Sequence, residues 1–172
     1  MNELRELIAR EILSKIRVRR VLLYALYLFL ALMTQNMLFT QLRVAGVCPM
    51  ILPAVAVAVG MFEGASWGAV FSLVMGLFAD MAYVENTILF TLLFPTLAFV
   101  SGFVSTYFIN RRFFAFVGAA LLGLLVTALV QLLRTAAVDV FSPVMLRTAV
   151  LQTLWSLPFS VLAYLPPARW IE

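Results

Sequence analysis

The stretch Gly60–Asp80, GMFEGASWGAVFSLVMGLFAD, decides how the rest of the chain is read. Every fourth position in it is small or polar: Gly60, Gly64, Gly68, Ser72, Gly76 and Asp80. Phe62, Trp67, Val70, Phe71, Leu73, Val74, Leu77 and Phe78 fill the intervening positions. Residues four apart share nearly one face of a helix, so the small positions form a slowly drifting groove. Acyl chains are as apolar as leucine, so helices in lipid associate through close backbone approach, which small residues permit. The groove therefore reads as a packing face for another helix or a partner, closed by the carboxylate of Asp80. That carboxylate suits either capping of a neighbouring helix or contact with a partner.

The composition sets the solvent. Of 172 residues, 65% are apolar, 12 are basic, 8 are acidic and none is histidine. A soluble domain is nearer 45–50% apolar on a comparable definition, and a core of this length cannot hide the excess. The basic residues are segregated, with 6 of the 12 in the first 20 positions. These features predict an all-α polytopic integral membrane protein. The net charge of +4 reflects cationic helix ends, and nucleic acid is not an expected partner. With no histidine and Cys48 as the one cysteine, an internal disulfide and a histidine-based metal site are excluded. The polar start, the near-spanning apolar run and the absence of a cleavage-like end argue for a retained helix, not a signal peptide.

Outward from the opening stretch, the chain divides into residues 1–20, 21–165 and 166–172. The first is a basic amphipathic segment with Leu4, Leu7, Ile8, Ile12 and Ile16 at helical spacing. It suits an anionic cytoplasmic leaflet, or serves simply as a solvated, orienting helix. The second holds six expected spans in one compact bundle, with four or five as the alternatives because the second span falls short of the roughly 20 apolar residues a span requires. They are Val21–Phe39, Pro49–Phe62, Gly64–Met81, Thr87–Ile109, Phe113–Val138 and Pro143–Leu165. The second and third form a tight hairpin turning at Glu63, and Pro95 is expected to bend the fourth. The third segment is a short cytoplasmic tail. Lys15, Arg17, Arg19, Arg20, Arg111, Arg112 and Arg169 fall on the side of the termini, against Arg43, Arg134 and Arg147 opposite. The positive-inside rule then places both termini in the cytoplasm. Small stripes recur at Ala98/Gly102/Thr106, at Ala115/Ala119/Gly123/Thr127/Gln131 and at Gln152/Ser156/Ser160.

Candidates for chemistry are few. Asp80 and Glu85 flank the outer end of the third helix, and Gln35 and Asn36 interrupt the first near its outer end. Arg134 and Arg147 lie at the outer ends of the fifth and sixth, where they can snorkel to headgroups, pair with Asp80 or Asp139, or hold an anion. No phosphate loop, nucleotide fingerprint, metal-ligand cluster or nucleophile elbow is present. No catalytic residue and no cofactor is expected.

The segment Gly60–Arg112 resembles the rod shape-determining protein MreD family. The elements that carry the likeness are Pro53 with AVAVAVG, then GASWGAVFSLVMGLFAD closing on Gly76, Leu77 and Asp80, then Thr87–Ile109 followed by Arg111 and Arg112. The chain departs from the family in having no glycine between Asp80 and Gly102. The resemblance implies a non-enzymatic scaffold of the bacterial elongation machinery. It implies an MreC-like membrane partner and, through it, MreB-like filaments and the peptidoglycan polymerase–transpeptidase pair at the inner (cytoplasmic) membrane. The family's fold is similar to that of substrate-binding subunits of energy-coupling-factor transporters. The alternative is therefore a vitamin- or metal-binding transporter subunit, in which Gln35, Asn36, Asp80, Glu85, Arg134 and Arg147 converge on a cavity. Ala25 and Ala31, six apart, do not form the alanine-x-x-x-alanine docking motif such a subunit uses.

Overall fold

The computed structural model describes residues 2–42, 46–82, 88–107, 113–138 and 143–170. The regular elements among them are helices: α1 (Asn2–Met33), α2 (Leu52–Glu63), α3 (Ala65–Ala82), α4 (Leu89–Tyr107), α5 (Phe113–Val138) and α6 (Pro143–Trp170). After Met33 the first helix widens into a π-turn over Thr34–Phe39. The chain forms two units, Met1–Leu30 and Ala31–Glu172. In the first, the helix runs unbroken through Arg20 and Val21, where the sequence suggests a change from amphipathic segment to span. Val21, Leu22, Leu26, Phe29 and Leu30 are exposed apolar side chains along it.

The second unit is built around α2. All its residues from Leu52 to Phe62 are buried, because α3, α4, α5 and α6 all pack against it. A helix enclosed on every side needs no apolar stripe, only side chains small enough for close neighbours, and Ala54–Val59 alternates alanine and valine. Buried serine and threonine hydroxyls line the interior, among them Ser105, Thr127, Thr153, Ser156 and Ser160. Several bond carbonyls of their own helix, as Thr127 does to Gly123 and Ser160 to Leu157. Large apolar side chains face outward instead, including Trp67, Val70 and Phe78 on α3, Leu92 and Phe99 on α4, Leu122 and Leu133 on α5, and Leu154 on α6. Polar groups inside and hydrocarbon outside is the arrangement that a bilayer favours.

Among the described residues, four helices are long and apolar enough to cross a membrane: Val18–Phe39, Ala65–Ala82, Leu89–Thr106 and Phe113–Ala137. The chain is thus a helical membrane protein. These helices correspond to four of the six expected spans. Six α-helices exist among the described residues, but α2 has 12 residues and rises about 18 Å, against a hydrocarbon layer of about 30 Å. Its helix starts at Leu52, not at Pro49 as expected, and residues 47–50 lead into it without helical structure. α6 is long but not among the four, and it continues to Trp170, through what the sequence reads as a tail.

Candidate functional site

The small-residue groove is where α2, α3 and α4 meet. The hairpin turns one residue beyond the expected Glu63, at Gly64, whose φ of +94° suits a residue without Cβ. The turn breaks the apparent four-residue stripe: Gly60 lies on α2 and opposes Gly68 across the hairpin. A methyl group on Gly68 would lie against the Cα of Gly60 and 2.9 Å from its nitrogen. α4 closes the third side. A methyl on Gly102 would sit 2.6 Å from the nitrogen of Ala65, and one on Gly60 2.8 Å from the carbonyl carbon of Ala98. Hydroxyls bind the crossing further, with Ser101 Oγ donating to the Val57 carbonyl at 3.3 Å and Ser105 Oγ to the Met61 carbonyl at 2.9 Å. The groove is occupied within the chain.

The same holds at its polar end. Asp80 Oδ1 accepts the Phe90 N–H at 3.1 Å, and Oδ2 accepts both the Thr91 N–H at 2.8 Å and the Thr91 hydroxyl at 2.7 Å. Phe90 and Thr91 are in the first turn of α4, whose N–H groups have no partner within the helix. A carboxylate there satisfies two of them and faces the positive end of the helix dipole. Gly76, one turn earlier, makes the approach possible, since a methyl on it would lie 2.7 Å from the Phe90 carbonyl carbon and 2.8 Å from the Thr91 Cα. The Gly-Leu-x-x-Asp sequence thus has a physical reading: glycine admits the start of α4, and aspartate caps it. Ser72 sits midway between Gly68 and Gly76, fully buried, with no hydrogen-bond partner for its hydroxyl among the described residues.

A second polar group gathers at the end of the unit where α2 begins. Non-helical backbone at membrane depth is tolerated only where protein satisfies it. Here Gln35, on the π-turn, accepts the Ile51 N–H at 2.8 Å and donates to the Pro49 carbonyl at 3.1 Å. Ser156 of α6 accepts the Met50 N–H at 2.8 Å. Phe39 packs against Phe159 with the rings tilted by 59° and their centroids 4.8 Å apart. Gln131 of α5 and Gln152 of α6 both point an amide nitrogen at the Met50 sulfur, 3.7 and 4.0 Å away. At the opposite end, Tyr164 packs its ring among Phe62, Phe113 and Phe116.

Of the six residues that a transporter subunit would bring together, Asp80 and Gln35 are bound to different parts of the chain. Asp80 is committed to α4 and Gln35 to residues 49–51, while Asn36 and Arg147 are exposed and Arg134 is half-buried. Glu85 lies outside the described residues, as do Arg43, Arg111, Arg112 and Asp139. The sequence reading missed the pairing of Gln131 with Gln152. Both were visible as members of small-residue stripes, but Met50, which joins them, carried no signal. Among the described residues, no three histidine, cysteine, aspartate or glutamate side chains are grouped to hold a metal ion.

The fold and these contacts define a polytopic helical membrane protein whose small-residue groove serves its own packing. Comparison with protein-family models, curated proteins and solved structures finds no match to the chain.

Proposed function

We propose that this protein is a non-enzymatic scaffold of the bacterial elongation machinery, an MreD-like partner of an MreC-like membrane protein at the inner membrane, with both termini cytoplasmic. The observation that supports the reading is the α3–α4 junction. The motif behind the family resemblance is a specific device, with Gly76 and Asp80 fixing the start of α4. Two of the candidate ligands, Asp80 and Gln35, are spent on backbone groups, which favours a scaffold over a transporter subunit. In this reading the protein helps organise peptidoglycan synthesis and cell shape through its partner and, indirectly, MreB-like filaments and the polymerase–transpeptidase pair. Because the groove is filled by the chain itself, the partner engages another surface.

The test is affinity purification of the tagged protein from a mild-detergent extract of its native host, with quantitative mass spectrometry. Stoichiometric recovery of an MreC-like protein is the expected result. Recovery of paired ATPases with a second membrane subunit would replace the scaffold by the transporter reading.

A further inference from the structure

Most described polar groups around the start of α2 are spent on one another. Gln35 uses its amide oxygen and an N–H on residues 49–51, and Ser156 accepts from Met50 while donating to the Gln152 carbonyl at 2.6 Å. Gln131 and Gln152 differ. A carboxamide carries two N–H donors and an oxygen with two lone pairs. Among the described residues, the side chain of each makes one hydrogen bond, an N–H directed at the Met50 thioether. Sulfur is a weak acceptor. Two amides from different helices therefore converge on one buried, soft atom with most of their hydrogen-bonding capacity unused. Both are half-buried, hence within reach from outside, whereas Met50 beneath them is 3% exposed.

We propose that Gln131 and Gln152 form a seat for a neutral amide, a carboxamide or a peptide group, with Met50 as its floor. Two convergent N–H groups can share one carbonyl oxygen, and the glutamine oxygens can accept the N–H that an amide brings with it. Such donor–acceptor reciprocity favours an amide over an anion, which the two glutamine oxygens would repel. The basic residue one turn along α5, Arg134, already has an interaction of its own, and Arg147 on α6 is exposed. This inference goes beyond the scaffold reading and does not depend on it.

The chain has four glutamines, Gln35, Gln41, Gln131 and Gln152, so the ¹⁵N-glutamine-labelled full chain in lipid nanodiscs gives four side-chain amide pairs. Gln→Leu variants assign them. The probe is N-methylacetamide, with sodium acetate as the anionic counterpart. The expected result is a saturable shift of the Gln131 and Gln152 signals with one common half-point, while exposed Gln41 drifts linearly and Gln35 does not move. Q131L should weaken the response of Gln152 at least fivefold, and Q152L that of Gln131. A capped dipeptide binding more tightly than N-methylacetamide assigns the seat to peptides, and equal binding assigns it to small amides. Linear drift of all four signals, no response at Gln131 and Gln152, or saturation by acetate alone overturns the proposal. If neither variant folds, Q35L and Q41L leave the Gln131 and Gln152 signals assigned as a pair by elimination, and the wild-type titration decides the matter.

Discussion

Gly68 and Gly118 are both helical glycines in membrane-spanning segments, and the structure assigns them opposite fates on replacement by alanine. At Gly68 the new methyl meets the backbone of Gly60, with the nearest nitrogen 2.9 Å away and the Cα closer still. Ordinary contacts between carbon atoms are about 3.5–4.0 Å, so α2 and α3 must part by roughly 1 Å. No flexible side chain can yield, because both sides are backbone. Overpacking of this kind costs about 1–3 kcal/mol, partly offset by the helix preference of alanine over glycine, up to about 1 kcal/mol. Gly68→Ala should therefore lose about 1–2 kcal/mol. At Gly118 a methyl finds nothing within 4 Å, so only the propensity gain acts, and Gly118→Ala should gain up to about 1 kcal/mol. The assay is reversible unfolding in mixed micelles, followed by tryptophan fluorescence and circular dichroism on the full chain. The reasoning fails if Gly68→Ala is as stable as Gly118→Ala. The comparison also guards a functional experiment. Loss of a partner in a bulkier Gly68 or Gly76 variant reports loss of fold unless stability is measured beside it.

Asp80→Ala removes three hydrogen bonds and leaves the first turn of α4 uncapped, at a cost of about 2–3 kcal/mol, and Asp80→Asn about half that. Hydrogen exchange at the Phe90 and Thr91 amides should accelerate in the same order, and unchanged protection in Asp80→Ala would remove the cap from the account. Gln35→Leu strands the Ile51 N–H and the Pro49 carbonyl inside protein and should destabilise by about 2–4 kcal/mol. Equal stability to wild type in the same unfolding assay would count against the clamp. Ser72→Ala deletes a hydroxyl with no partner, so stability should hold or rise by up to about 1 kcal/mol; a clear loss would mean that the hydroxyl is bonded after all.

Much of this architecture was legible because it is local. Glycines four apart around a single acidic residue mark a hairpin, and the turn falls at Gly64, one residue from Glu63. Capping was one of two roles open to Asp80, and the structure supplies it. What the sequence hid is of long range. Gly60 and Gly68 belong to the same apparent stripe, yet the turn between them sets them face to face. Pro49 reads as a helix start, but the clamp from Gln35 and Ser156 holds residues 47–50 out of helical form until Leu52. Neither clamp residue is near its target in sequence: Ser156 lies 106 positions from Met50. Gln131 and Gln152 looked like continuations of small faces, because spacing cannot show that two helices aim at one sulfur.

The enclosure of α2 also bears on how the protein is made. A ribosome delivers α2 before α4, α5 and α6, yet the surfaces that α2 needs belong largely to those three helices. Until α6 arrives, the Met50 N–H lacks its serine acceptor, and a helix of 12 residues is too short to settle across the bilayer unaided. Biogenesis therefore contains an interval in which the future centre of the protein is an orphan. A chain stopped before Ser156 should persist in that immature state, held by the insertion machinery or marked for degradation. α6 supplies the remaining packing surface and the serine acceptor that the start of α2 requires.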